Sequence, residues 1–261
     1  MIARTARPAV SLALLLAAFC LGGCTNFFEI QVETPIKPKL DVTPFQRVLV
    51  AGFVGGGTED IDTNMETVRL LRSQLRTRSK MRVIEADVLP LAEIVARQIR
   101  EGGADGANGS QEAQLPERIR DEKDLEAYDQ IFANVDYWKQ LGEEHQNPLI
   151  VTGSILFVPH QRSGFVQREE EVFDALGRRS VRPVRTYRER KGYILRPKFI
   201  FIDGRTGTQV YSETFREEVL YDAQQNTPAL SSYFELMDRV IPGFLGTLSS
   251  QSIRGTRFLL K

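Results

Sequence analysis

The chain is 261 residues long, 42% hydrophobic and 26% charged, with 34 basic and 34 acidic residues and a formal net charge of zero. That is enough apolar material for a globular core, and the balance excludes a nucleic-acid footprint or a globally basic membrane-binding surface. Both cysteines, Cys20 and Cys24, lie near the start, so the rest of the chain has no thiol for a disulfide, a nucleophile or a thiolate metal site.

Arg4 and Arg7 precede an apolar run from Ala9 to Phe19, broken by Ser11, and Leu21-Gly22-Gly23-Cys24 follow. Charged, apolar and small segments in that order read as a secretory signal. The run is shorter than the roughly 20 residues needed to cross a bilayer, and no later stretch approaches that length. A leader ending in Leu21, Gly22, Gly23 and Cys24 resembles a bacterial lipoprotein signal. The resemblance implies residues 1–23 as a cleaved signal and Cys24 as the acylated N-terminus, carrying diacylglycerol and palmitate. Thr25, in place of an aspartate, implies sorting to the outer membrane with the body facing the periplasm. Residues 24–44, with Pro35, Pro38 and Pro44, read as an extended lipidated tether. Residues 45–261 form the body, long enough for one elaborated domain or two small ones.

Within the body, Arg47-Val48-Leu49-Val50-Ala51-Gly52-Phe53 predicts a strand, followed by a loop at Gly55-Gly56-Gly57. Asp62, Thr63 and Asn64 offer N-caps for a helix carrying Val68, Leu71 and Leu75, with arginines on its other face. Met81 to Glu85 predicts a second strand, parallel to the first through a βαβ crossover. Val88 to Ile99 predicts another helix. Residues 102–122 are glycine-rich, charged and aperiodic, a mobile excursion. Leu125, Tyr128, Ile131, Val135, Trp138 and Leu141 mark one amphipathic helix. The run from Leu149 to Val158 is the most strand-like of the chain and is expected at the centre of the sheet.

From there the pattern is antiparallel. A long charged hairpin spans residues 160–192 and turns at Asp174-Ala175-Leu176-Gly177. Tyr193 to Asp203 and Thr208 to Phe215 follow as strands about a Gly204-Arg205-Thr206-Gly207 turn. Pro228 opens a last helix in which Pro242 is a potential kink, and Phe258-Leu259-Leu260 is expected to close the sheet. The sum is an α/β fold: a mixed β-sheet with helices packed mainly on one face, carrying a long charged β-hairpin.

No catalytic signature stands out. Thr58-Glu59-Asp60 follow the triple glycine where a phosphate loop needs Lys and Ser/Thr. His145 and His160 sit in separate loops, and no acid pair is singled out by spacing. No cofactor or metal site is expected. The distinctive feature is the set Arg178, Arg179, Arg182, Arg185 and Arg188, facing Glu169, Glu170, Glu171 and Glu189 within one hairpin. It reads either as cross-strand charge pairing that protects an edge or as an arm that docks an anionic partner.

Several segments together resemble the curli-secretion lipoprotein (CsgG-like) family and related domains of the TolB N-terminal type. They are Val48 to Phe53, Leu71 and Leu75 with Val83-Ile84-Glu85, Ile150-Val151-Thr152-Gly153-Ser154-Ile155, and Lys198 to Val210 with its Asp203-Gly204-Arg205-Thr206-Gly207 turn. The resemblance covers most of residues 47–260 and implies that domain fold. In the curli channel two hairpins become lipid-facing strands, which need apolar side chains at alternate positions. Here Arg168-Glu169-Glu170-Glu171, Arg178-Arg179 and Pro183 occupy the first hairpin, and residues 215–228 are too short and charged for the second.

The expectation is therefore a non-enzymatic, lipid-anchored envelope protein that binds or positions a protein partner in assembly or secretion. Its first candidate surface is the hairpin and its second the 102–122 excursion. The alternatives are an oligomeric channel subunit of the curli type, or an envelope hydrolase or glycan-binding domain.

Overall fold

The computed structural model describes residues 27–102, 115–116, 118–173 and 175–260. The signal (1–23, with Leu21, Gly22 and Gly23), Cys24, Thr25, most of the 102–122 excursion and Asp174 lie outside the described residues. The chain forms two units, one spanning Pro38–Ser249 and one made of Met1–Lys37 with Ser250–Lys261.

In the larger unit a six-stranded sheet has the order β3-β2-β4-β5-β6, with β7 also on β5. Strand β2 is Arg47–Gly57, β3 Arg82–Val83, β4 Leu149–Phe173, β5 Arg179–Asp203, β6 Gln209–Thr214 and β7 Glu217–Asp222. β2 runs parallel to β3 and to β4, while β5 is antiparallel to β4, β6 and β7. The sheet is thus mixed, as expected.

The helices do not gather on one face. Helices α1 (Thr63–Arg78) and α6 (Ala229–Leu248) pack on one side, where Val68, Leu71, Leu75, Tyr233, Leu236, Met237 and Phe244 meet Val48, Val50, Leu149, Val151 and Phe157. Helices α2 (Leu91–Gly102), α3 (Glu122–Glu126), α4 (Asp129–Phe132) and α5 (Val135–Glu144) supply Leu91, Val95, Leu125, Ile131 and Trp138 to the other side. There they meet Leu49, Ala51, Ile150, Leu156 and Ile202. The cause is visible in β2 and β4. Both are buried at successive rather than alternate positions, the pattern of strands covered on both faces.

The amphipathic stretch from Leu125 to Leu141 is three short helices rather than one. Asp121 and Asp124 form a capping box at the start of α3, and the Asn134 side chain accepts from the Tyr137 N–H to begin α5. Each cap restarts the chain in a new direction while the apolar side chains keep their common core. The Trp138 indole N–H donates to the Ile131 carbonyl at 2.7 Å, locking α5 to α4.

Gly55, Gly56 and Gly57 are strand, not loop. A Cβ on Gly55 would meet Thr63 Oγ1 at 2.4 Å, and one on Gly56 would meet Ile119 Cγ2 at 2.4 Å. Gly57 has φ +105° against the Phe157 carbonyl, a conformation other residues rarely adopt. Upstream, the register of β2 slips between Val50 and Gly52. The buried Arg72 guanidinium, at the α1 position expected to face water, donates to the Val50 carbonyl at 2.8 Å. Thr152 Oγ1 donates to the Gly52 carbonyl at 2.8 Å. Side chains thereby satisfy the carbonyls at the bulge.

The smaller unit corrects two expectations. Residues read as tether include strand β1 (Phe27–Ile36), and residues expected to close the main sheet belong to β8 (Gln251–Leu260). These two pair antiparallel with each other, as a separate two-stranded sheet.

Candidate functional site

Strands β4 and β5 continue past the larger unit's core as a two-stranded ribbon. β2 borders β4 only as far as Phe157, and β7 borders β5 only between Arg190 and Leu195. From Ser163 opposite Glu189 out to Phe173 opposite Arg179, the two strands pair with each other alone. At about 3.3 Å per residue that stretch reaches roughly 35 Å. All of it is exposed except Gly164 and Arg188.

Side chains alternate across a strand, so the register sorts the ribbon into two faces. One carries Phe165, Gln167, Glu169, Glu171 and Phe173, opposite Tyr187, Arg185, Pro183, Val181 and Arg179. The other carries Val166, Arg168, Glu170 and Val172, opposite Thr186, Val184, Arg182 and Ser180, with Arg188 nearer the root. The five arginines singled out by sequence are therefore not one patch. Arg182 and Arg188 share a face, Arg179 and Arg185 share the opposite one, and Arg178 sits between the turn and β5. The Arg179 guanidinium pairs with Glu171 across the strands, and Arg188 Nη1 lies 3.8 Å from Asp222 Oδ1. At the root Arg162 stands directly opposite Arg190, a like-charge pair that disfavours the isolated ribbon. Among the described residues Arg162, Arg168, Arg182, Arg185 and Arg190 make no ion pair.

Sequence reasoning missed the apolar component. Phe165 is 72% exposed and packs edge-on against Tyr187, with centroids 5.4 Å apart. Phe173 and Leu176 are 64% and 78% exposed at the tip. The signal was present: aromatics recurring in arms that otherwise read as solvated charge. Neither face is apolar at successive positions, and charges near the middle of a lipid-facing strand cost about 2–4 kcal/mol each. Among the described residues no helix is long and apolar enough to cross a membrane.

No protein-family model matches the chain, and no curated protein matches it. Among solved structures it is similar to the crystal structure of lipoprotein GNA1162 from Neisseria meningitidis, at 12% identity and a TM-score of 0.34. The match covers 76% of this chain and 97% of that one.

A concavity of about 370 Å³ lies where β2 ends between the starts of α1 and α2. β3 and β4 flank β2 on opposite sides, so this is a switch point of the sheet, a place where α/β folds hold ligands. Its rim carries Glu59, Asp62 and Glu93. Arg118 is held by Glu59 at 3.0 Å, and the Asp62 carboxylate already caps the Met65 N–H. That electrostatic balance repels a phosphate, and the three glycines serve packing. The Ile119 carbonyl accepts from the Gly57 N–H at 2.8 Å, so the end of the 102–122 excursion is docked on β2. Another hollow, of about 650 Å³, lies at the ribbon's root against Gln161, Lys191, Tyr193 and Tyr221. The histidines sit apart: His145 ends α5, and His160 Nε2 lies 3.5 Å from Glu218 Oε1.

Proposed function

We propose that this is a lipid-anchored protein of the bacterial cell envelope that docks a protein partner through the β4–β5 ribbon and catalyses no reaction itself. The outer membrane, with the body facing the periplasm, is the site to which the leader points. The observation that carries the docking reading is the ribbon's chemistry. It combines exposed aromatics with arginines that lack acid partners among the described residues. Aromatic residues and arginine are the side chains over-represented where protein surfaces meet. A ribbon kept only to shield an edge would gain nothing from Phe173 standing 64% exposed at its tip.

The test is photo-crosslinking from position 165 in the lipidated protein within its own envelope. The expected result is an adduct of discrete mass. Arg179→Glu with Arg185→Glu, on the face that carries position 165, abolishes it, whereas Arg182→Glu with Arg188→Glu, on the other face, weakens it less. An adduct indifferent to both double reversals, or no adduct at all, sinks the docking role.

A further inference from the structure

The ribbon formed by β1 and β8 has two unlike faces. Phe28, Ile30, Val32 and Ile36 alternate onto one side of β1, and Ile253 of β8, opposite Thr34, joins them. Phe28, Ile30, Ile36 and Ile253 are 53%, 44%, 43% and 58% exposed. The other side carries Glu29, Gln31 and Glu33 from β1 and Ser252, Arg254 and Thr256 from β8, with Arg254 Nε donating to Glu33 Oε1 at 2.6 Å. Phe258 is the one large apolar side chain described on that polar side. Arg257, opposite Ile30, is the one charge described on the apolar side.

We infer that the apolar face of the β1–β8 ribbon lies on the bilayer surface as a second membrane contact beside the acyl anchor. This rests on the reading of Cys24 as the lipidated residue. Phe28 follows Cys24 by four positions, so even a fully extended chain keeps it within about 14 Å of the acylated residue. Acyl chains buried in the membrane then hold the ribbon at the interface. Amphipathic elements with separated apolar and charged faces settle there, apolar side down. Arg257 has a long enough aliphatic stem to carry its guanidinium up to the lipid phosphates. The contact replaces a loose tether with an oriented one: the first strand after the anchor lies flat, its charged side turned to the aqueous phase.

The test uses the lipidated protein in phosphatidylethanolamine–phosphatidylglycerol vesicles whose acyl chains carry bromine, a contact quencher of indole emission. Trp138 is the single tryptophan and is fully buried, which makes it a constant background. Ile30→Trp and Ile253→Trp report the apolar face, and Gln31→Trp and Thr256→Trp the polar face. Tryptophan suits a strand, so the ribbon tolerates all four. The added emission is expected to fall severalfold in brominated vesicles for the first pair and to stay unchanged for the second. Equal quenching on both faces, or none on either while the protein stays with the vesicles, overturns the ribbon contact and leaves the anchor standing. Loss of the parent protein from the vesicles overturns the anchor reading and the ribbon's placement with it.

Discussion

Phe165 and Tyr187 face each other across β4 and β5, their rings 5.4 Å apart and inclined at 68°. No helix covers them, and both are more than half exposed. Cross-strand aromatic pairs contribute about 0.2–1 kcal/mol, which adds to the backbone ladder and the Arg179–Glu171 pair in holding the ribbon's register. A double-mutant cycle with Phe165→Ala and Tyr187→Ala should return a coupling in that range by chemical denaturation. Tyr187→Ala, with the crosslinker kept at position 165, should lose the envelope adduct far more completely than it loses stability. Zero coupling would place the two rings in independent roles.

Gly55 is required by its neighbour and not by its own backbone. Gly55→Ala should destabilise the larger unit by about 1–3 kcal/mol, the usual cost of overpacking, because the new methyl meets Thr63 Oγ1. Thr63 Cβ lies at an ordinary 3.7 Å from that position. Gly55→Ala combined with Thr63→Ala should therefore recover most of the loss in a urea titration. If the double variant is no better than the sum of the singles, the packing account of the triple glycine fails.

Asp203 gives the fold an acid-sensitive joint. Its carboxylate accepts from the Arg205 guanidinium at 2.7 and 3.0 Å and from the Arg205 backbone N–H at 2.9 Å. The guanidinium contact, opposed by burial and aided by the backbone bond, holds its pKa below the ordinary 3.8. A pKa depressed on folding stabilises fully above the unfolded value and less as pH falls through the folded one. The melting temperature of Asp203→Asn should therefore lie below that of the parent at pH 7, and the gap should narrow as pH drops below about 4. A gap constant from pH 7 to pH 2 would assign the turn's stability elsewhere.

Trp138 offers both a probe and a weak point. Trp138→Phe keeps an aromatic ring between α4 and the sheet and removes the indole N–H bond to the Ile131 carbonyl, which still accepts from the Asn134 N–H at 3.2 Å. Losing one hydrogen bond while the acceptor stays paired costs about 0.5–1.5 kcal/mol. Circular dichroism in urea should show a loss of that size. In the parent, the emission of Trp138 should shift to the red together with the loss of secondary structure. An early fluorescence change would mean that α3 to α5 open before the sheet.

What could be read from the sequence was local. Val48 to Phe53 and Leu149 to Val158 announce strands, Asp62 announces the start of α1, and Asp203 to Gly207 announces a turn. Unbroken apolarity in those strands also carried the message of two covered faces, although periodicity within single helices does not say which side each helix takes. The glycines mislead because a missing side chain favours loops in general and close approach in this instance. Arg72 misleads because burial of a guanidinium depends on the bulge carbonyl it meets. In the ribbon the charges were legible, whereas their division between two faces follows from a register that only the paired strands define. The pairing of β1 with β8 joins distant ends of the chain, and no local pattern encodes it.

That last pairing sets an order of events. Glu33 and Arg254, joined in the ribbon, are 221 positions apart. β1 emerges early from the ribosome and does not meet β8 until nearly all the rest of the chain has followed. During that interval its apolar edge is open to strand addition by neighbouring chains. The strand made first is completed last. Whatever protects β1 during synthesis therefore has to act before the protein can protect itself.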